Sequence, residues 1–347
     1  MQQLSPSVRF PRVSNFVAKS LAVSFIATTA FAVKTFAQAP APAAAGNGDF
    51  YEFVNATGGA FTDAQISWSF DQKTWHPLSE GKSAPAKLGG GGRINFRLSN
   101  DKGTWQDFIE YTHNNNWNGN TTYVDAFVIP LTIELFKNDG SSVKLGIDQS
   151  RKALFDLFKQ QAPPEFQSCV VTDPKTGEFK RIASPFQVDF GPGKPQNHYF
   201  DKYVDEIWDM YAQPKTLPSG WTGKVENGVL TLSKPGGKTY TLTRKPTTQE
   251  ILLGQAEMGK SADMCSAFNR HVFADPADWS DPSKYYKTLP YNFYAKFWHE
   301  HTVDGKAYGF CYDDYAGQAS YISAPGKKLV VTLYWDASPP ATMPKSK

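Results

Sequence analysis

Two carboxylates, Glu110 and Asp125, have the residue types and the spacing to carry out a reaction. Their segments, DFIEYTH and TYVDAFVIP, alternate polar with apolar or β-branched residues, which predicts strands. If the strands are neighbours, both acids face one cleft. Such a pair suits glycoside hydrolysis, in which one acid donates a proton and the other, ionised, activates water or attacks the sugar. Because the chain has 33 Asp and Glu residues, an accidental pair is the alternative.

Other reaction chemistries find little support in the sequence. It has no G-x-S-x-G elbow, no Walker loop and no Rossmann glycine fingerprint. His299 and His301 in WHEH would share one face of a strand, but no third ligand stands at a suitable spacing for zinc. We therefore predict no metal and no cofactor, and we expect these histidines to line a polar groove or to make local hydrogen bonds.

The composition limits the classes of partner. The net charge is +3 and no long run of Lys or Arg occurs, which argues against nucleic acid as a partner. Aromatic residues make up 14% of the chain, and we assign most of them to a β-rich core and some to sugar stacking. Of the three cysteines, Cys169, Cys265 and Cys311, two could pair in an oxidising compartment; three are too few for a disulfide scaffold.

The N-terminal region has the order of a secretory signal. Basic residues up to Lys19 precede an apolar stretch from Leu21 to Val33, and small residues follow. We predict a signal peptide over 1–37 and a small-residue linker over 38–48, with an uncleaved anchor as the alternative. The mature protein would then be secreted, to the exterior, cell wall or periplasm, with no membrane segment.

The elements that must position the two acids change in character along the chain. Residues 49–148 and 256–337 contain mainly strand patterns, and 149–255 contain helices over Ser150–Gln161 and His198–Ala212 with short strands. A further helix is expected around Lys260–Arg270, and KAYGFCYDDYA, QASYIS and KLVVTLYW are expected strands. We predict a mainly β fold: a barrel or sandwich lobe whose two ends pair, an inserted α/β lobe, a wide cleft between them, and a disordered tail over 338–347.

Two long blocks carry a family resemblance. WQDFIEYTHNNNWNGNTTYVDAFVIPLTIEL resembles the central D-F-x-E-[YF]-T and V-D-x-x-x-x-P-L motifs of glycoside hydrolase family 64, the laminaripentaose-producing β-1,3-glucanases. YNFYAKFWHEHTVDGKAYGFCYDDYAGQASYIS resembles the C-terminal block of that family. Thaumatin-like proteins share a fainter form of both, and the whole resemblance spans about 50–335.

The resemblance implies roles for the two acids. Glu110 matches the family's general acid and Asp125 its general base, in an inverting reaction that cuts β-1,3-glucan to short oligosaccharides. Inversion needs the two carboxyl groups roughly 6.5–9.5 Å apart, so that water fits beside the sugar. The family fold is a β-barrel lobe with an α/β lobe around a wide groove.

Other residues are predicted to bind substrate near this pair. Thr112 and Tyr123 each stand one strand step from an acid, on its face. Asp313 and Asp314 in CYDDY are expected to contact sugar hydroxyls or orient Glu110, with a structural turn as the alternative. The remaining candidates are Trp105, Trp117, Trp208 and Trp298, of which one or two should stack on sugar, and His299 and Glu300, which would line the groove.

The sequence thus predicts a secreted, monomeric endo-β-1,3-glucanase whose partner is β-1,3-glucan. A non-hydrolytic glucan-binding or antifungal protein of thaumatin-like type is the alternative from another class. A secreted structural protein whose aromatic residues all lie in the core is a third.

Overall fold

The computed structural model of this chain describes residues 49–336. The predicted signal peptide, linker and tail lie outside the described residues. The first ten strands are β1 (Tyr51–Ala56), β2 (Ile66–Ser69), β3 (His76–Pro77), β4 (Ser83–Ala84), β5 (Gly90–Asn100), β6 (Gly103–His113), β7 (Trp117–Thr121), β8 (Ala126–Phe127), β9 (Leu131–Phe136) and β10 (Ser142–Gly146).

The following part of the chain mixes helices with shorter strands. Its helices are α1 (Arg151–Gln161), α2 (Asp201–Met210), α3 (Thr248–Leu253), α4 (Ala262–Asn269) and α5 (Phe293–His301). Its strands are β11 (Val170–Thr172), β12 (Phe179–Ala183), β13 (Lys215–Thr216), β14 (Thr222–Glu226), β15 (Val229–Ser233), β16 (Tyr240–Leu242), β17 (Tyr321–Ala324) and β18 (Lys328–Tyr334). None of the helices within 49–336 is long and apolar enough to cross a membrane.

Two open sheets pack face to face as a sandwich. One has the order β10-β9-β18-β1-β4 and the other the order β17-β7-β6-β5-β2-β3. Their facing side chains form one hydrophobic core, in which the Phe53 ring lies 4.9 Å from Trp68 and 5.7 Å from Phe96. The predicted mainly β fold is confirmed. The prediction left open whether this lobe is a barrel or a sandwich, and the described residues form a sandwich.

The two ends of this lobe pair with each other, as predicted. β1 lies parallel to β18, with Tyr51 opposite Leu329, and β9 flanks β18 on its other side. Parallel partners need a long connection between them, and here the connection contains the second part of the fold.

A second hydrophobic core takes its residues from Tyr123 to Tyr312 and includes α1, α2, α4 and α5. The sequence pattern predicts an inserted lobe that ends at residue 255. In the structure, however, Met258, Phe268 and Trp298 pack in this second core rather than in the sandwich. The division into lobes stays a prediction, and this packing favours an insertion that ends later, before β17.

The helices of the insertion follow from local sequence. The Ser150 side chain accepts a hydrogen bond from the Ala153 backbone N–H at the start of α1, and Leu154 and Phe158 form its buried face. The predicted helices at Ser150–Gln161, His198–Ala212 and Lys260–Arg270 are confirmed as α1, α2 and α4, with shorter bounds for the last two.

Two predictions made near the C-terminal block were wrong. The segment with His299 and His301 is helix α5 rather than a strand, and the Asn292 side chain caps it. The helix forms because aromatic residues recur every four positions, at Phe293 and Phe297 and at Tyr294 and Trp298. KAYGFCYDDYA forms turns rather than a strand. Of the other expected strands, QASYIS and KLVVTLYW are confirmed as β17 and β18.

Candidate active site

Strand β6 presents alternate residues to the sandwich core and to the opposite side. Trp105, Ile109 and Tyr111 are buried in the core, while Glu110 and Thr112 point away from it and are half-buried. This alternation follows from the two-residue period of a strand. The predicted placement of Glu110 on a strand, with Thr112 on the same face, is confirmed.

Glu110 is held by an arginine of the neighbouring strand. Arg93 lies opposite Glu110 in the β5–β6 register, and its Nε and Nη2 donate to Glu110 Oε1 at 3.3 and 3.2 Å. Each side chain is 21% exposed. The Arg93 guanidinium also stacks 3.8 Å from the centroid of the Phe108 ring, which fixes its orientation. Both contacts go to Oε1, so Oε2 accepts no hydrogen bond from the described residues.

The register of four strands aligns the residues around Glu110 in two rows. One row contains Arg93, Glu110, Asn120 and Tyr321. The other contains Gly91, Thr112, Asn118 and Ser323. We call this surface the outer face of the six-stranded sheet; its two rows are polar except for the half-exposed Tyr321 ring, and the Phe108 ring lies on the same face under Arg93.

Gly91 lies where β5 and β6 approach each other closely. It belongs to a run of glycines over 89–92, of which Gly90–Gly92 are part of β5. A Cβ on Gly91 would lie 2.7 Å from Thr112 Oγ1. The close approach is therefore real, and the missing side chain leaves room on the outer face beside Thr112.

Asp125 lies on an exposed bend between β7 and β8 rather than in a strand. The main chain around it is fixed on both sides. The Tyr123 N–H donates to the Tyr308 carbonyl at 2.9 Å, and the Ser184 N–H donates to the Asp125 carbonyl at 2.9 Å. Because the backbone is anchored, the exposed carboxylate has a defined position next to solvent.

The turn segment that contains Tyr308 and Cys311 lies beside both acids. Burial raises the pKa of Tyr308 well above its ordinary value, and the charges of Asp314 and Glu110 add to the rise. Burial also raises the pKa of the Cys311 thiol to about 12, with a contribution from Asp125. The Tyr308 hydroxyl donates to the Cys311 carbonyl at 3.1 Å. The charges of both acids therefore act on this one turn segment.

Asp313 belongs to a buried charge network. Arg270 Nη2 donates to its Oδ1 at 2.9 Å, His299 Nε2 lies 3.0 Å from Oδ2, and the Gly309 N–H donates to Oδ2 at 2.9 Å. Burial alone would raise the pKa of Asp313, but His299 and Arg270 outweigh it and hold the pKa below its ordinary value. Because Asp313 has no exposed surface, it cannot contact a sugar, and its contacts match the alternative of a structural role in the turn.

Asp314 differs from its neighbour because its side chain is exposed. Desolvation, with the charge of Asp313 adding to it, raises the pKa of Asp314. An exposed carboxylate with a raised pKa, electrostatically coupled to Tyr308 beside Glu110, remains a candidate for contact with substrate.

The predicted aromatic platforms are contradicted by their burial. The exposed fractions are 0% for Trp117, 5% for Trp208, 0% for Trp298, 5% for Trp105 and 3% for Tyr123. Trp117 sits at an inward position of β7, where its ring lies under Gly119. Tyr123 packs against Trp298 at 5.1 Å, so it does not share a face with exposed Asp125.

The two histidines and Glu300 are also placed differently from expectation. On helix α5, residues two apart point in different directions: His299 contacts Asp313, while the His301 ring packs 4.2 Å from Phe297. Glu300 pairs with Lys296 on the helix surface at 2.6 Å. Within residues 49–336 no cluster of three or more His, Cys, Asp or Glu could hold a metal, and all three cysteines are free.

Two open concavities of the surface lie away from the acids. A shallow concavity of about 400 Å³ borders β1, and one of about 210 Å³ lies beside α2. Neither contains a residue of the outer face or of the Asp125 loop. A surface crossing four strands suits a chain-like ligand better than either concavity does.

Three residues of this site were missed by the sequence reasoning. Arg93 and Tyr321 reach the outer face only through sheet register, which local sequence does not give. Asp107, the first residue of the D-F-x-E motif, points inward and is 8% exposed. Its place in that motif was the one available indication.

Solved structures resemble this chain over most of its length. A β-1,3-glucanase domain from Clostridium beijerinckii is 25% identical with a TM-score of 0.70, over 83% of this chain and 98% of that one. A laminaripentaose-producing β-1,3-glucanase from Paenibacillus barengoltzii, solved with laminarihexaose, is 26% identical with a TM-score of 0.63, over 83% and 75% of the two chains.

Curated relatives and a family model point the same way. A glucan endo-1,3-beta-glucosidase from Cellulosimicrobium cellulans is 22% identical over 237 residues, and the match covers 62% of this chain but only 42% of that relative. The family model described as Beta-1,3-glucanase, glycoside hydrolase family 64, matches residues 95–333, which include Glu110, Asp125 and the 308–314 turns. This chain belongs to glycoside hydrolase family 64.

Proposed function

We propose that this protein is an endo-β-1,3-glucanase that hydrolyses β-1,3-glucan to short oligosaccharides by an inverting mechanism with two carboxylates. The observation that carries the proposal is the placement of Glu110 and Asp125. Each reaches an accessible surface, each borders the same turn segment, and both fall within the region that the family model matches.

Glu110 is the proposed general acid. Arg93 donates to Oε1 only, so a neutral Glu110 would keep Oε1 as the accepting oxygen and carry its proton on Oε2. That proton passes to the glycosidic oxygen as the bond between C1 and this oxygen breaks. The arginine thus decides which oxygen faces the substrate.

Asp125 is the proposed general base. Its exposed carboxylate takes a proton from water while that water attacks C1 from the face opposite the leaving group. The β-linkage then gives an α-configured reducing end. After the reaction Glu110 is ionised and Asp125 is protonated, and exchange with solvent restores both.

The outer face supplies the groups expected of a glucan-binding surface. Asn118 Nδ2 lies 3.4 Å from the Thr112 carbonyl, and Asn118 Oδ1 accepts from the Tyr321 and Ser323 hydroxyls at 3.2 and 2.7 Å. These contacts orient the polar side chains. The half-exposed Tyr321 ring adds an apolar surface for a pyranose face.

Secretion as a monomer is part of the proposal. It is supported by the sequence pattern over 1–37, where a basic region precedes an apolar one. The mass of the protein recovered from the culture medium would locate the cleavage site, and light scattering would give the number of chains per particle. Full-length protein retained in cells would contradict the secretion.

The mechanism predicts that wild-type protein releases reducing sugar from laminarin and curdlan, and that Glu110→Gln and Asp125→Asn do not. Loss of either proton-transfer group should lower kcat by about 100-fold or more. Nuclear magnetic resonance of fresh products should show the α-anomer first. Equal activity in all three proteins, or a β-anomer, would refute the two-carboxylate inverting mechanism.

Matched control variants distinguish the loss of a catalytic group from the loss of a negative charge. Glu226→Gln and Asp156→Asn make the same chemical changes at exposed ion pairs with Lys224 and Lys152, away from the site. Both should keep wild-type kcat, because exposed ion pairs contribute little to stability.

A glucan-binding or antifungal protein without hydrolysis is the second candidate. The Arg93–Glu110 ion pair favours it, because Arg93 would orient Glu110 equally well as an acceptor of hydrogen bonds from sugar hydroxyls. Retention on curdlan without soluble products from the wild type would establish this candidate in place of the enzyme.

A further inference from the structure

Asp107 is a buried carboxylate on the strand that carries Glu110. It lies three residues before Glu110 and points to the opposite side of β6, among the core side chains. Its exposed fraction is 8%. A buried carboxylate needs hydrogen-bond donors, so the donors that Asp107 contacts indicate its role.

The partners of Asp107 are backbone N–H groups. Oδ2 accepts from Val128 at 3.1 Å and from Ile129 at 3.0 Å, and Oδ1 accepts from Phe108 at 2.9 Å. Val128 and Ile129 follow the Asp125 bend after the two-residue strand β8, which pairs with β12. Asp107 therefore ties the segment after one acid to the strand that carries the other.

The Asp125 bend is fixed to β6 at both of its ends. Before the bend, Thr121 pairs with Ile109 in the β6–β7 ladder. After the bend, Asp107 holds the Val128 and Ile129 amides. Glu110 sits beside these two attachment points, so movement at either one changes the distance from Glu110 to Asp125.

The Val128 peptide is also held from its carbonyl side. Arg151 Nε donates to the Val128 carbonyl at 2.8 Å, and Arg151 is itself buried. A single residue fixed through both N–H and C=O has little freedom to shift. Asp107 from β6 and Arg151 from α1 therefore both bind the main chain of Val128, which follows the Asp125 bend.

We propose that Asp107 is a positioning residue that sets the separation of the Glu110 and Asp125 carboxyl groups. This inference rests on the proposed function. An inverting site must admit a water molecule at a defined place, and a displacement of about 1 Å can cost about 100-fold in rate. Asp107 touches neither substrate nor acid and acts through the backbone of the bend.

The cost of burying Asp107 supports a role beyond stability. Desolvation raises the pKa of Asp107 to about 7 against three backbone hydrogen bonds and the Arg93 charge, which lower it. Ionisation of Asp107 therefore lowers the stability of the folded state.

The test compares Asp107→Asn with wild type on laminarin. Asparagine keeps one accepting oxygen but turns the other into a donor that faces an N–H group. We expect kcat to fall by about 10- to 100-fold, KM to stay within about 3-fold, and the Val128 and Ile129 amides to exchange faster with deuterium. Asp107→Glu, which keeps the charge but is longer by one methylene, should also lower kcat and covers the case in which the asparagine variant does not fold.

The matched control is Glu257→Gln. Glu257 is also buried and accepts from the Thr243 N–H at 2.7 Å and from the Lys260 ammonium, but it lies outside the sandwich and the site. A merely structural role for Asp107 predicts that both variants lose thermal stability and keep kcat. Positioning predicts that the control keeps kcat while the Asp107 variants do not.

Three outcomes separate this inference from the proposed function. Unchanged amide exchange at Val128 and Ile129 in Asp107→Asn would show that the attachment is absent and would overturn the inference. Faster exchange with wild-type kcat would overturn it as well. If the wild type cleaves no glucan, the proposed function fails, and faster exchange in the variant would still support Asp107 as the anchor of the bend.

Discussion

Glu110 and Asp125 occupy different surroundings, in keeping with the two roles proposed for them. Glu110 is half-buried against Arg93 and the Phe108 ring, while Asp125 stands on an exposed bend. Environment is what gives two carboxyl groups of similar intrinsic acidity separate tasks. At this scale Arg93 donates to only one oxygen of Glu110, and the bend leaves the Asp125 side chain exposed to solvent.

Tyr321 offers a test of substrate binding that is independent of the acids. It stands two strands from Glu110, roughly 10 Å away at 4.8 Å per strand. Replacing it by alanine removes an apolar surface worth about 1 kcal/mol to a bound sugar, so KM should rise about fivefold with kcat unchanged. Steady-state kinetics on laminarin measures both.

The conservative variant Tyr321→Phe serves as the control. It keeps the ring and loses only the hydroxyl that donates to Asn118, so its KM should stay near that of the wild type. An alanine variant with wild-type KM would remove Tyr321 from the binding surface.

At the scale of elements, the predictable part of the site was the strand. The alternation in DFIEYTH predicted β6 and the common face of Glu110 and Thr112. The prediction that Trp117 faces substrate was wrong. Its segment, NNNWNGN, has the composition of a loop and shows no alternation of polar and apolar residues from which the inward direction of Trp117 could be predicted. Asp125 was placed in a strand, yet the chain bends there because Asp107 and Ser184 hold its flanks.

What the sequence could not give were contacts between distant segments. The Arg270–Asp313 pair, the Arg93–Glu110 pair and the Asp107 attachment all join residues on different elements. No local pattern encodes such pairs, because register and packing decide them. Family resemblance supplied the two acids but not the residues that orient them.

Helix α5 gives an element-scale prediction. Its cap, Asn292, accepts from the Ala295 N–H at 3.2 Å, and Asn292 Nδ2 donates to Asn269 Oδ1 at 2.9 Å inside the core. Asn292→Ala removes the cap and leaves a buried acceptor unpaired, so the free energy of unfolding should fall by about 2 kcal/mol. Urea denaturation measures this change.

Thr247→Ala is the matched cap variant. Thr247 caps α3 through the Glu250 N–H at 3.3 Å but is exposed, so its loss should cost about 1 kcal/mol or less. Equal losses in the two variants would show that the buried contact to Asn269 adds nothing.

For the whole molecule, Asp107 predicts a dependence of stability on pH. Its pKa, raised from 3.8 to about 7 by desolvation, means that the folded state holds this proton more tightly than the unfolded chain does. The contribution of Asp107 to the free energy of unfolding is therefore full below about pH 4 and is lost as the pH rises through about 7. Arg93 opposes the shift, and Tyr123 lies near enough to feel the charge.

Unfolding curves for wild type and Asp107→Asn, recorded between about pH 4 and pH 8, check this. The stability difference between the two proteins should shift against the wild type as the pH rises and should level off above about pH 7. A difference that stays constant over this range would show that Asp107 does not titrate there.

The parallel pairing of β1 with β18 has a consequence for how the protein is made. Tyr51 leaves the ribosome long before its neighbour Leu329 exists, so the five-stranded sheet stays incomplete until translation has passed Tyr334. The buried residues of the second core end at Tyr312, so all of them have been synthesised before β18. During that interval β1 lacks its partner on the β18 side, and we expect this unpaired strand edge to favour aggregation of the nascent chain.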